Sequence, residues 1–435
     1  MEATRKKASP ISPAAASAAA ILAVLGDENL LAEIFLRLAL PTNLVRAAAA
    51  CRLWYHVASD PAFLRRFRDL HPPRLLGFYL SSLGRKWDVD FVPMLPQPPE
   101  LAAVVRRAGF RPDVFDNPTT RMMNCRNGSV PVGLYRDGKS VQGFLSPLHP
   151  ARGMVDLPSP PAMSREDERV RIFREIVCKE DGDGRLKFLW LSVGYSKDRK
   201  VVATVYMLQD DGAWSLIASA TTPVPRLQGS ALKTLSYFLA DDKIYMGLTV
   251  HNILVLDLKS SAFSTINFPD RVSFHEEMVL SPAEGSGVYL VHVSELQLRI
   301  WLHKAGNGST EGWLLIDTIG LRDMYANLRT SNGMTEVGGA PGVYIHEVGD
   351  NAEFAFLEMC GCIVYLDVRS RAMRKVYNVA EKDSSARVCW IHPFKMIWPP
   401  TFPRLKNDPA RLFKWREGHR QNLSILQKRL AKNAW

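Results

Sequence analysis

Long apolar runs are missing from this sequence. Nowhere in 435 residues is there anything near the roughly 18 uninterrupted apolar positions that a membrane-spanning helix needs, so no membrane span is expected. Cysteine is scarce and scattered: Cys51, Cys125, Cys178, Cys360, Cys362 and Cys389 are spread through a long chain, where a small secreted domain would cluster them as staples. Reduced thiols in a cytosolic or nuclear protein are the expectation. The spacings of a nucleophile elbow, a phosphate-cradling glycine loop and a zinc-hydrolase helix are all missing, so no catalytic residue and no cofactor is assigned. Cys360, Cys362, Cys389 and His392 come nearest to a metal pattern. One residue separates the first two, whereas structural zinc sites leave about two to four, and the pair is expected on one face of a strand instead. The histidines His251, His292, His303 and His346 fall in strand-like runs and read as hydrogen-bonded structural residues. The acid pairs Asp210-Asp211 and Glu276-Glu277 read as turns or surface.

Length implies more than one folding unit. The charge is +11, but unevenly placed: from Arg404 onward nine Lys or Arg face only Asp408 and Glu417, a local net of +7. Residues 404–435 therefore read as a basic, helical tail. Such a tail suits phosphates or an acidic partner, which keeps open a nucleic-acid-binding or scaffold protein as an alternative function. Residues 1–24, with "RKK" before an alanine-rich run, read as a disordered arm.

The sharpest pattern is "LGDENLLAEIFLRLAL" at 25–40. Asp27 is placed to cap a helix, with Glu28 at the positive end of its dipole. Leu30, Leu31, Ile34, Phe35 and Leu38 then fall at helical spacing and are expected to form one stripe. Pro41 is expected to end that helix, and Thr42 or Asn43 to cap a second running through "AAAA" and "CRLWYHVAS". Asp60 with Pro61 is expected to open a third. Three such helices bury little by themselves, so their apolar stripe implies a partner.

The order of these features resembles an F-box over residues 25–67: a leucine before an acidic cap, a Leu/Ile helix, a proline break, "CRLW" at 51–54 and "DPAF" at 60–63. The F-box docks substrate receptors onto the Skp-type adaptor of cullin ubiquitin ligases. The resemblance implies adaptor binding by Leu25, Leu30, Ile34, Leu38, Leu44, Cys51 and Trp54. It departs from the family at Gly26, where proline is usual, and at the alanine run of the second helix.

From about residue 77 to 400, short β-branched and aromatic runs alternate with Gly, Pro and Asp-Gly turns. "NILVLDL" at 252–258 and "GCIVYLDV" at 361–368 are continuously apolar, as strands covered on both faces are. Hairpin-like stretches turn near Gly212, Ser260, Asn307 and Ser370, spaced 48, 47 and 63 residues apart. A unit of about 50 residues suits β-propeller blades, about six of them, with an insertion in the longest step. Neither kelch nor WD40 signatures recur, and a two-sheet sandwich or a pair of irregular β domains stays open. The region also resembles the domain following the F-box in large plant receptor families, which implies a propeller-like receptor surface; the loop at 304–312 is one place for a target to bind.

The fold class expected is thus α+β and multidomain, a three-helix F-box at 25–70 followed by a mostly β domain. The function implied is that of a non-catalytic substrate-recognition subunit of a Skp-cullin-F-box (SCF) ubiquitin ligase. Its partners would be a Skp-type adaptor, through it a cullin, and an unidentified target protein.

Overall fold

The computed structural model describes residues 20–21, 23–71, 73–83, 87–161, 170–180, 186–196, 198–224, 236–249, 252–270, 272, 277–285, 287–304, 312–331, 342–379, 387–396 and 402. The basic tail, most of the N-terminal arm, His251, Glu276 and nearly all of the 304–312 loop lie outside them. The chain divides into two compact units, one made of the segment before Arg74 with the segment after Met396, the other running from Arg74 to Met396.

Besides helical residues at 20–21 and 23–26, the described part of the first unit holds four short helices: α1 (Glu28–Phe35), α2 (Pro41–Ala48), α3 (Arg52–Ser59) and α4 (Pro61–Leu70). Asp27 caps α1, accepting from the amides of Asn29 and Leu30 at 2.9 and 3.0 Å. Asp60 caps α4 by accepting from the Phe63 amide at 2.8 Å, with Pro61 in the first turn, where a missing donor costs nothing. Two expectations are corrected. Pro41 does not end the first helix, which stops at Phe35; it opens α2, and Leu40 occupies the cap position without a side-chain bond. The expected second helix is two helices, because the backbone is extended at Cys51. Alanine favours helix, so nothing local marks that break; packing places it.

The second unit is a six-bladed β-propeller. Five blades have four strands and one has three, paired antiparallel between neighbours. The three-stranded blade joins β1 (Leu75–Leu83) and β2 (Trp87–Pro93) to β23 (Arg387–Lys395). The next contains β3 (Arg121–Met122), β4 (Val130–Arg136), β5 (Lys139–Leu145) and β6 (Met154–Leu157). Then come β7 (Val170–Glu180), β8 (Leu186–Tyr195), β9 (Lys200–Leu208) and β10 (Trp214–Pro223). The fourth blade holds β11 (Tyr237–Ala240), β12 (Lys243–Met246), β13 (Asn252–Asp257) and β14 (Ala262–Asn267). The fifth is β15 (Glu277–Ala283), β16 (Gly287–Ser294), β17 (Gln297–His303) and β18 (Trp313–Gly320). The sixth is β19 (Val343–Val348), β20 (Phe354–Met359), β21 (Cys362–Asp367) and β22 (Met373–Asn378). Two helices interrupt the propeller, α5 (Pro99–Arg107) between β2 and β3 and α6 (Arg322–Ser331) between β18 and β19.

The ring is closed by strands from opposite ends of the unit. β1 pairs with β23, Tyr79 opposite His392 and Ser81 opposite Trp390, and the Met396 amide donates to the Arg74 carbonyl at 2.9 Å. This closure builds one blade from both ends of the unit, so the β1 edge is paired by the last strand. Gly77 lets β1 lie close to β2 in the same blade: a Cβ there would lie 2.3 Å from the Phe91 ring and 2.6 Å from the Val92 carbonyl.

Why β13 is apolar throughout is now visible. Leu254 and Leu256 pack toward the third blade, with Leu189, Leu191 and Val205, while Ile253 and Val255 pack toward the fifth, with Leu280 and Leu290. Successive residues of a strand point to opposite faces, so a strand between two blades needs apolar residues at both parities. The sixth blade repeats the arrangement, sending Val364 and Leu366 one way and Ile363 the other, onto Phe78 and Leu80. All four stretches read as repeats are outer hairpins, β9-β10, β13-β14, β17-β18 and β21-β22. The longest step contains α6. Asp257 and Asp367 finish their strands by accepting from the turn: Asp257 from the Lys259 and Ser260 amides at 2.8 and 2.9 Å, Asp367 from the Ser370 amide at 2.8 Å.

The "CGC" segment is a correction too. Cys360 and Gly361 form a tight turn with φ of 51° and 69°, and only Cys362 begins a strand, so the two thiols do not share a strand face. Positive φ at both central residues is the backbone of a two-residue hairpin turn.

Candidate functional site

The candidate site is the outward face of α1. The expected single stripe is two. Leu31 and Phe35 point into the helical core with Leu44, Ala58, Phe63 and Phe67, whereas Leu30 and Ile34 are 48% and 36% exposed. Positions i and i+4 lie one above the other on a helix, and adjacent positions are about 100° apart, so the pairs Leu30/Ile34 and Leu31/Phe35 form separate apolar rows. The inner row folds the module, and among the described residues the outer row is left without cover.

The other residues marked for adaptor binding fall into place around that division. Trp54 ties α3 to the chain ahead of α1: its Nε1 donates to the Leu25 carbonyl at 3.3 Å, and its ring meets Phe35 edge-on at 5.5 Å. Leu25, Leu38, Cys51 and Trp54 are half-buried. Leu44 is 0% exposed, so it holds the helices together and does not reach the surface. Val45, not singled out in the sequence, is exposed on α2. Glu33 and Arg66 form an exposed ion pair at 2.8 Å, a contribution of at most about 1 kcal/mol. Gly26 sits in open space: a methyl group at its Cα would meet nothing within 4 Å, and its backbone is not left-handed.

Phe402 also belongs to this unit. It packs on the helical core, its ring edge-on to Tyr55 at 5.7 Å, so a residue from beyond the propeller completes the module formed by residues before it.

In the propeller, the leading ends of the innermost strands β3, β7, β11, β15, β19 and β23 converge around the axis; five blades begin with their inner strand, and β23 supplies the inner strand of the three-stranded blade. Near that end sit Arg121 at the start of β3, Tyr237 at the start of β11, Trp390 in β23 and Trp87 at the start of β2, with Glu175 of β7 beneath. The Arg121 guanidinium lies over the Trp390 ring, 5.1 Å from its centroid, and Trp390 meets Trp87 at 5.2 Å. Glu175 receives a hydrogen bond from the Tyr237 hydroxyl and is 3.7 Å from Arg121. Burial pushes the Glu175 carboxyl above the usual carboxylate range, against the opposing pull of the Tyr237 hydrogen bond and the Arg121 charge. His392, opposite Tyr79, is pushed down to about 4 by burial and by the Arg121 charge. No periodicity or motif marks this cluster, since five strands each supply one member.

Among the described residues no group of three or more His, Cys, Asp or Glu gathers as a metal site. Cys360 instead donates to the Tyr325 carbonyl at 3.8 Å. His292 accepts at Nδ1 from Trp301 Nε1 at 3.2 Å and His346 bonds Glu358 at 2.7 Å, as structural histidines do. Asp211 caps its turn, accepting from the Ala213 amide at 2.9 Å.

Comparison with known proteins separates the same two parts. Residues 28–70 match the F-box-like family. No curated protein matches the chain. Among solved structures, the SapL1 lectin in complex with alpha methyl fucoside is similar at 11% identity, covering 71% of this chain and 97% of that one with a TM-score of 0.37. YCF48 from Cyanidioschyzon merolae is similar at 10% identity over 71% and 88%, with a TM-score of 0.35. A protein from Lactobacillus plantarum is similar at 12% identity over 74% and 100%, with a TM-score of 0.34. Residues 121–402, well over half the chain, match the family described as "F-box protein AT5G49610-like, beta-propeller". An F-box joined to a propeller fits an F-box substrate receptor, a class generally associated with SCF complexes and typically non-catalytic, and this chain belongs to the AT5G49610-like F-box β-propeller family.

Proposed function

We propose that this protein is the substrate-recognition subunit of an SCF-type ubiquitin ligase, docking to a Skp-type adaptor through the outer row of α1 and holding a target protein on its propeller. The observation that carries the reading is the exposed Leu30/Ile34 row on a helix whose other apolar row is already packed. F-box domains generally bind Skp1-type adaptors, and a partner covering that row would remove apolar area from water at about 25 cal/mol per Å². Leu25, Leu38, Cys51 and Trp54 flank the row, and Leu44 supports it from inside.

The mechanism is proximity. A target held beside a charged conjugating enzyme meets it at raised effective concentration, and no acid or base from this chain takes part. The cysteines form no disulfide, which suits the cytosol or nucleus as the place of action.

The test is direct binding of the full chain to purified Skp-type adaptor. Leu30→Asp and Ile34→Asp are expected to weaken binding about 100-fold or more, since each would bury a charge without a partner. Their thermal unfolding is expected to match the wild type, because both positions are solvent-facing in the free chain. Absence of adaptor binding by the wild-type protein would sink the proposal.

A further inference from the structure

The cluster at the propeller axis has a donor-rich side that its own fold leaves unsatisfied. Arg121 is 52% exposed at its side chain, and among the described residues nothing accepts a hydrogen bond from its guanidinium: Glu175 stands at 3.7 Å, an ion-pair distance beyond hydrogen-bond reach. One flat face of the guanidinium is occupied by Trp390, which fixes the group without using its N–H edge. Two further groups on the same side of this blade lack partners among the described residues, Trp87 Nε1 and Nε2 of His392, and His392 is only 9% exposed. Trp390 and His392 are two residues apart on β23 and so share a face, and His392 feels the Arg121 charge. The nearby carboxylate leaves the fork open: Glu175 accepts at one oxygen from the Tyr237 hydroxyl, and its other oxygen stands 3.7 Å from Arg121, an ion pair that an incoming anion would have to oppose.

An arginine oriented by stacking, with its fork free, matches a planar or tetrahedral oxyanion. A small free anion would stay better solvated in water than at so open a site. Affinity there requires additional contacts, and the partly exposed planes of Trp87, Trp390 and Tyr237 offer these to the residues on either side of the anion. We propose that Arg121, stacked on Trp390 at the leading end of the propeller axis, is the recognition point for an oxyanion-bearing side chain, carboxylate or phosphate, within a target peptide. The inference rests on the reading of the propeller as the target-binding part and adds the chemistry of what it reads.

The experiment uses the full chain co-purified with its adaptor and three immobilised degenerate peptide libraries, alike except for a central Glu, phosphoserine or Gln. Retention on the Glu or phosphoserine library is expected to exceed that on Gln by about tenfold, the worth of one charge-assisted hydrogen bond, and to fall with added salt. The library that retains more identifies the source of the oxyanion. Arg121→Gln is expected to reduce retention to the Gln level and Arg121→Lys to restore it only in part, because lysine has neither the fork nor the stacking plane. Glu175→Gln is expected to act in the opposite direction and raise retention, by removing a nearby carboxyl. A purely structural role for the cluster would make Arg121→Gln and Glu175→Gln move retention together. Equal retention on all three libraries, or retention unchanged by Arg121→Gln, overturns the inference. Adaptor capture measured on the same preparations reports on the F-box independently, so failure at the propeller and failure of docking are told apart.

Discussion

Helix α1 and strand β13 are both apolar on two faces, and they differ in what the chain provides to cover them. Around β13, blades stand on both sides, and Ile253, Leu254, Val255 and Leu256 are all buried. Around α1 the described residues cover one side only, so Leu31 and Phe35 are buried while Leu30 and Ile34 face solvent. The same local density of apolar residues is core in one place and interface in the other. What decides is whether the fold returns with a second layer, and a four-helix module of this size has too few residues to do so.

The strongest way to sharpen that contrast is to hollow each core separately. Phe67 in the helical unit and Phe356 in the propeller are both 0% exposed, and replacing either by alanine is expected to cost about 3–5 kcal/mol. In calorimetry, Phe67→Ala should lower the transition of the helical unit and leave that of the propeller in place, and Phe356→Ala should do the reverse. Movement of both transitions together would mean that the two parts unfold as one.

A second contrast is electrostatic and is expected to be smaller. Burial pushes the Glu347 carboxyl of β19 up to about 8, with the Asp350 charge adding to the rise. Between its ordinary value and 8 the folded protein therefore holds a proton that the unfolded chain has released, so this residue costs stability as pH rises through that window. Glu347→Gln is expected to raise the propeller's melting temperature at pH 8 and to leave it unchanged at about pH 3, below both values, where both states are protonated. His392 works the other way: with a folded value of about 4, it costs stability as pH falls from its ordinary value near 6.5 toward 4. A gain from Glu347→Gln of equal size at both pH values would contradict the assignment.

The smallest expected effect is at Gly26. Its surroundings leave room for a methyl group, so Gly26→Ala should stabilise the helical unit by up to about 1 kcal/mol, mostly through the unfolded chain. Chemical denaturation of the helical signal checks it, and destabilisation would show that the position needs glycine after all.

How much of this could be read in advance follows the range of the interactions. The caps at Asp27 and Asp60 are local hydrogen bonds between neighbours in sequence, and both are legible. So are the outer hairpins, because "LDLKS" and "LDVRS" place an aspartate where it can accept from the turn. The Asp137-Gly138 turn carries the usual positive-φ pair, but Glu295-Leu296 adopts the same kind of backbone with φ of 52° and 60° without a turn residue, imposed by strands that pair on either side. The split of the second helix and the two rows of α1 depend on what packs where, which helical spacing leaves undecided. Least legible is the Arg121 cluster, whose members are separated by up to hundreds of residues and meet only because a propeller brings its inner strands to one axis.

The ring closure has a consequence for how the protein is made. β1 is among the first strands to leave the ribosome, and its partner β23 is nearly the last, so throughout synthesis one blade stands with an unsatisfied edge. The F-box helices, encoded ahead of it, pair with one another at once and wait only for Phe402. A message cut short before Arg387 would yield a chain that has the docking helices but lacks both Phe402, which packs on them, and the strand that closes the receptor. On the proposed docking, such a product would compete for the adaptor while presenting an open ring, which would make the final strand a checkpoint on whether a docked receptor is also a working one.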